Sequence, residues 1–189
     1  MRKLYLAAML IVTLLLVITG CDTGTGGTSS GEKTARSFEW ARKIANEVRD
    51  TEMPDGVLGG IAAVYIDGSG LIDPDSIEAT WVFGFAPDGA GAEVAVLTVY
   101  VDADGETAHS TGGSSSFEPI PDYNNGKVVF WITTADAEVD EENLDYAHRM
   151  FVCTEQDGIN VVTMYYVASN GSYVAGVYLN ADTGEVLWQ

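Results

Sequence analysis

The chain has 189 residues, with 28 acidic side chains against 9 Lys and Arg and a formal net charge of −19. That balance argues against nucleic acid or an anionic lipid surface as a partner of the folded part, because both are held by Lys and Arg. The length suffices for one good core or two small ones, and the acidity fits a solvated, self-repelling surface, with a basic partner, loose cation binding or a saline habitat as sharper readings.

The first element is residues 1–21. Met1-Arg2-Lys3 is a short basic start, Leu4 to Thr19 is an almost unbroken apolar run, and the run ends at Ile18-Thr19-Gly20-Cys21. This segment resembles a bacterial lipoprotein signal: a charged start, an apolar stretch and a small residue before a cysteine. The resemblance implies a signal peptide over 1–20, cleavage before Cys21, and acylation of the Cys21 thiol and new amino group. The mature chain would then be lipid-anchored to a membrane in the cell envelope, outside the cytoplasm. Cleavage would also remove the two positive charges of Arg2 and Lys3. Rival readings are an uncleaved anchor, although sixteen apolar residues fall short of the roughly 20 a spanning helix needs, and a soluble secreted product.

Asp22 to Gly31 reads DTGTGGTSSG, so 21–33 is expected to be a flexible tether. Phe38, Ala41, Ile44, Ala45 and Val48 then recur at helical spacing, which predicts a helix over Thr34–Val48 capped by Ser37 or Thr34. Turn punctuation separates strands predicted at Gly60–Ile66, Ala79–Ala86 and Glu93–Val101. Thr111-Gly-Gly-Ser-Ser-Ser116 reads as an internal linker, within a connection over 111–126. Lys127–Ile132 is predicted as a strand. A second helix is predicted from Thr134 or Asp136 to about Met150, with acids in its first turns and His148-Arg149 in its last. Strands at Ile159–Ala168 and Ser172–Asn180 flank the hairpin signal Asn170-Gly171, and Glu185–Trp188 is a short last strand.

The two halves echo each other. Val99-Tyr-Val-Asp-Ala-Asp-Gly-Glu106 stands against Val177-Tyr-Leu-Asn-Ala-Asp-Thr-Gly-Glu185, each after an apolar hairpin and an amphipathic helix. The pattern predicts an α+β protein built from two tandem repeats of an amphipathic helix packed on an antiparallel meander sheet, over 34–110 and 127–189. Repeat one carries extra residues at about 51–78. Ala181-Asp-Thr-Gly-Glu-Val-Leu187 resembles the closing turn of the PepSY domain family, and Ala103-Asp-Gly-Glu106 matches it in shorter form. Two such units in tandem are similar in architecture to the beta-lactamase inhibitory proteins. The resemblance implies a non-catalytic extracytoplasmic module that binds or inhibits a protein or peptide, often a protease.

No nucleophile elbow, zinc-protease helix or phosphate-cradling loop occurs, so the chain is not expected to be an enzyme, and no catalytic residue, metal ligand or cofactor is assigned. His109 and His148 read as satisfied surface histidines. Asp67, Asp73, Asp75, Asp102 and Asp104 read as turn formers. Cys153, next to Phe151 and Val152, reads as a buried, inert thiol. The remaining lead is aromatic. Trp81, Phe83 and Phe85 alternate along one strand face, with Tyr165, Tyr166, Tyr173 and Trp188 in the second half. These seven form either a core shared by the repeats or an exposed face that anchors an envelope protein or peptide. A small-ligand carrier with an aromatic-lined pocket is the alternative, and a hydrolase is the least supported reading.

The anchor is directly testable. Cys21→Ser removes the thiol that would carry the acyl chains, so metabolic labelling with a clickable fatty acid is expected to mark the wild type and not the variant. Equal labelling of both would refute the lipoprotein reading.

Overall fold

Ser37 opens the first helix. Its Oγ accepts the Trp40 N–H at 3.4 Å and caps α1, Phe38–Glu52. The computed structural model describes residues 36–88, 94–114, 117–139 and 145–188; the signal segment, Cys21 and the tether lie outside them. Four strands follow: β1 Gly56–Ile66, β2 Thr80–Pro87, β3 Val94–Asp102 and β4 Thr107–Ser114. Then come α2, Asn125–Glu138, and four more strands: β5 His148–Gln156, β6 Ile159–Val167, β7 Tyr173–Asn180 and β8 Val186–Trp188. The protein is therefore α+β, with all eight strands in one antiparallel sheet of order β4-β3-β2-β1-β5-β6-β7-β8. Each helix precedes four strands of meander, and β1 pairs with β5 to join the two sets.

Both helices lie on one face of this sheet. Register fixes what they cover. One row across the strands reads Val101, Trp81, Ala63, Phe151, Met164 and Val177; the next reads Val99, Phe83, Ile61, Cys153, Val162 and Leu179. All twelve are buried, against Phe38, Ala41 and Ala45 of α1 and Val128, Trp131, Ile132 and Ala135 of α2. The rings interlock: Phe38 meets Trp81 edge-on at 5.5 Å, Trp81 meets Phe151 at 5.8 Å, and Phe151 meets Trp131 at 5.9 Å. Such edge-to-face contacts add to the energy of area burial.

Polar latches complete the layer. Arg149 grips both carboxylate oxygens of Asp136, at 2.8 and 2.9 Å, and the hydroxyl of buried Tyr166 donates to the same carboxylate at 2.8 Å. Burial and that carboxylate push the Tyr166 hydroxyl far above its ordinary range, so it stays a donor. The helix starts also touch: the Glu39 N–H donates to Asn125 Oδ1 at 3.1 Å.

Three sequence-based expectations need correction. Lys127–Ile132 is not a strand but part of α2, capped by Asn124, whose Oδ1 accepts the Lys127 N–H at 2.9 Å. The apolar run there is β-branched and aromatic, yet Val128, Trp131, Ile132 and Ala135 fall at helical spacing toward the sheet, and burial overrides propensity. The second helix accordingly ends at Glu138, and His148-Arg149 begins β5 rather than closing a helix. Thr111–Ser114 is not linker: it pairs with Val94–Leu97 as the end of β4. An edge strand needs few apolar side chains, so its composition imitates a loop. The true connection runs past the sheet end, where the Ile120 N–H donates to the Leu58 carbonyl at 2.9 Å. There the Phe117 ring occupies the space above Gly59 that a Cβ would fill.

Because Phe83 is wholly buried, Phe83→Ala is expected to leave a cavity and cost about 3–5 kcal/mol. A thermal melt should then fall by roughly 10 °C at this chain length.

Candidate functional site

The seven aromatic residues singled out by sequence fall on two opposite faces. Trp81, Phe83, Phe85 and Tyr166 are at most 1% exposed, under the helices. They form core, not a docking face, because their strand parity points them at α1 and α2. Their rings pack on each other (Phe83 on Phe85 at 6.5 Å, Tyr146 on Tyr166 at 4.9 Å). Cys153 lies in the same layer and is a free thiol. Burial, with a smaller contribution from Asp182, pushes that thiol up to about 12.

Tyr165, Tyr173 and Trp188 are on the other face, and the structure brings them together with Tyr178, which sequence reading missed. The signal was present: Tyr178 alternates with Val177 and Leu179 and so must point away from the helices. Tyr165 and Tyr173 meet edge-on at 5.8 Å, and Tyr178 lies 4.8 Å from Trp188. Tyr173 and Trp188 are 60% and 58% exposed. The Tyr173 side chain crosses over Gly176, where a Cβ would come within 2.5 Å of its hydroxyl. Burial, reinforced by Tyr178 and Tyr173, pushes the Tyr165 hydroxyl up to about 12. The Tyr165 hydroxyl can therefore donate a hydrogen bond at neutral pH without carrying charge.

The cluster is one end of a longer surface. A single cross-strand row on this face runs edge to edge: Ala108, Tyr100, Val82, Ala62, Val152, Thr163, Tyr178 and Trp188. The row beside it reads Asp102, Thr80, Val64, Met150, Tyr165 and Gly176. The first row contains no ionisable acid or base other than tyrosine, and the second only Asp102, at its β3 end, on a chain of net charge −19. A largely uncharged, partly aromatic face of this extent is what interaction surfaces offer.

The polar candidates have local explanations. The Asp67 carboxylate accepts the Ser69 and Leu71 N–H groups at 2.8 and 3.0 Å. The Asp73 carboxylate accepts that of Asp75 at 2.9 Å, and the Asp102 carboxylate those of Asp104 and Glu106 at 2.9 and 2.8 Å. All are turn-forming contacts. Among the described residues no three His, Cys, Asp or Glu side chains converge as a metal site, and no helix is long and apolar enough to cross a membrane. His109 lies 3.9 Å from Glu52, and the His148 ring packs edge-on against Tyr65 at 4.2 Å.

Comparison with protein-family models, with curated proteins and with solved structures finds no match to this chain.

The buried thiol makes a measurable claim. Its folded-state value lies above the ordinary value of 9, so its contribution to stability is complete below pH 9 and fades as pH rises toward 12. At pH 8 Cys153 is expected to resist a thiol reagent in native protein and to react fully in denaturant. Rapid native labelling would contradict its burial.

Proposed function

We propose that the chain is an extracytoplasmic lipoprotein held at a membrane by acyl groups on Cys21. In this reading it binds a protein or peptide partner, without catalysis, on the sheet face its helices leave bare. The observation that carries the binding site is the uncharged edge-to-edge row ending in Tyr178 and Trp188, beside half-exposed Tyr173. Aromatic side chains lose little conformational entropy when they dock and supply much of the energy of hot spots. The anchor rests on the lipobox-like Ile18-Thr-Gly-Cys21.

We also infer that the two halves are tandem PepSY-like repeats. The support is local and paired. Asp102 and Asn180 each accept, through Oδ1, the N–H two residues on at 2.9 Å. Gly105 and Gly184 take positive φ of 83° and 78°, and each lies under an aromatic of its own helix, Trp40 and Phe130. The buried Ala103 and Ala181 carbonyls receive side-chain donors, Arg36 Nε at 3.1 Å and Trp131 Nε1 at 2.8 Å. A repeat of this kind accounts for one sheet with a helix ahead of each half. It also leaves the opposite face of the combined sheet as the natural place for a partner.

Affinity capture from envelope extract, with the full chain in detergent as bait, tests the reading. Replacing Tyr173 and Trp188 together by Ala is expected to weaken capture by about 30-fold, the equivalent of roughly 2 kcal/mol, with an unchanged melting temperature. Equal capture by wild type and this variant would remove the proposed surface.

A further inference from the structure

The sheet has two edges, and they are built differently. β8 is three residues long and enters its pairing with β7 through a register shift. β4 is eight residues long and pairs with β3 from Val94↔Ser114 to Val101↔Thr107 without a shift. Its sequence, TAHSTGGS, contains no proline, lysine or other fixed charge. Long unpaired edges usually carry such groups, or a bulge, to block further pairing.

The pairing pattern shows which groups are open. The Asp102 N–H donates to the Glu106 carbonyl at 3.1 Å, so this is a hydrogen-bonded pair. Antiparallel pairs alternate, so Ala108, Ser110 and Gly112 direct their N–H and C=O groups at β3. Those of Thr107, His109, Thr111 and Gly113 point outward, and among the described residues no strand lies beyond them. A Cβ at Gly112 or Gly113 would meet no atom within 4 Å, so both faces of the strand are open there.

Charge selects the occupant. Val94–Ser114 holds Asp102, Asp104 and Glu106 but no Lys or Arg, and Glu52 of α1 stands 3.9 Å from the His109 imidazole. Pairing two copies edge to edge would also bring together two chains of charge −19, which repel. We infer that the outer edge of β4 is a strand-addition site for an extended, cationic segment of a partner protein. Main-chain hydrogen bonds from Thr107, His109, Thr111 and Gly113 would supply the docking, and lysines or arginines on the incoming strand the selectivity. This site is separate from the aromatic face and does not depend on it.

The test uses the full chain in detergent and a fluorescein-labelled peptide, Lys-Thr-Val-Thr-Val-Thr-Val-Lys, read by fluorescence anisotropy at low salt. Saturable binding is expected. Thr111→Pro removes one outward N–H that β3 does not use, and edge strands tolerate proline. It should weaken binding by about tenfold, while Thr111→Val should not. Should Thr111→Pro fail to fold by circular dichroism, the unaltered chain is titrated with the peptide N-methylated at alternate amides, for which the same loss is expected. A peptide with Glu in place of Lys should also bind about tenfold more weakly, since its charge repels the site. No binding, or equal binding by folded Thr111→Pro or by the N-methylated peptide, would overturn the inference. So would a dimer in sedimentation that Thr111→Pro dissolves, which assigns the edge to a second copy. Binding that emerges only after residues 22–33 are deleted would assign it to the chain's own tether.

Discussion

Ala63 is the small residue on which the interior depends. It sits in the central strand with Trp81 opposite on one side and Phe151 opposite on the other, and it is 1% exposed. Strands lie roughly 4.8 Å apart, so the Cα atoms of those two residues are separated by about twice that. Their rings nevertheless meet at 5.8 Å, because both lean over a methyl group. Phe151 then reaches Trp131 of α2, while Trp81 reaches Phe38 of α1. The joint between the two meanders is thus a continuous aromatic interior as well as a ladder of backbone bonds. A larger side chain at this position would force the rings apart and divide the core along the β1–β5 seam.

The two faces of the sheet spend their residues differently. Under the helices the rows combine Trp, Phe and Tyr with aliphatics, and the few polar groups are satisfied at close range, as in the Asp136–Arg149–Tyr166 cluster. On the other face the rows carry mainly Val, Thr, Ala, Gly and Tyr, with Asp102 at the β3 end and most of the aromatic side chains gathered over β6 to β8. Among the described residues the other acidic side chains lie in turns, on helices and at strand ends. That separation lets a chain with such a large excess of negative charge keep a broad neutral surface, where long-range repulsion is set by the rim and short-range attraction by the rings.

Much of this was legible in the sequence and part was not. Ser37 as a cap, the β2, β3, β6 and β7 strands and the buried Cys153 follow directly from periodicity and turn chemistry. The Asp-Gly-Glu and Asp-Thr-Gly-Glu turns do too, because a carboxylate or amide two residues before a backbone N–H is a local device. The second helix was misplaced because Val128, Val129, Phe130 and Trp131 favour strands in isolation; only the sheet waiting beneath decides for a helix. β4 was hidden by its glycines and hydroxyls, which an edge strand tolerates and a central strand does not. The aromatic residues posed a different difficulty. Alternation places Trp81, Phe83 and Phe85 on one face but cannot say which face receives the helices, and Tyr178 was passed over because the neighbouring valine and leucine dominate the pattern.

The point where the chain enters the fold bears on how any upstream attachment would hold it. Arg36 is fastened three ways: its carbonyl accepts from Trp81 Nε1 at 2.8 Å and from the Ile72 N–H at 3.3 Å, and its Nε donates to the Ala103 carbonyl at 3.1 Å. Ser37 bridges to Leu71 immediately after. Tension arriving along the backbone from residue 35 would be shared among the helix start, the β3–β4 turn and a core tryptophan, rather than peeling one strand from an edge. The mooring is on the helix side of the sheet.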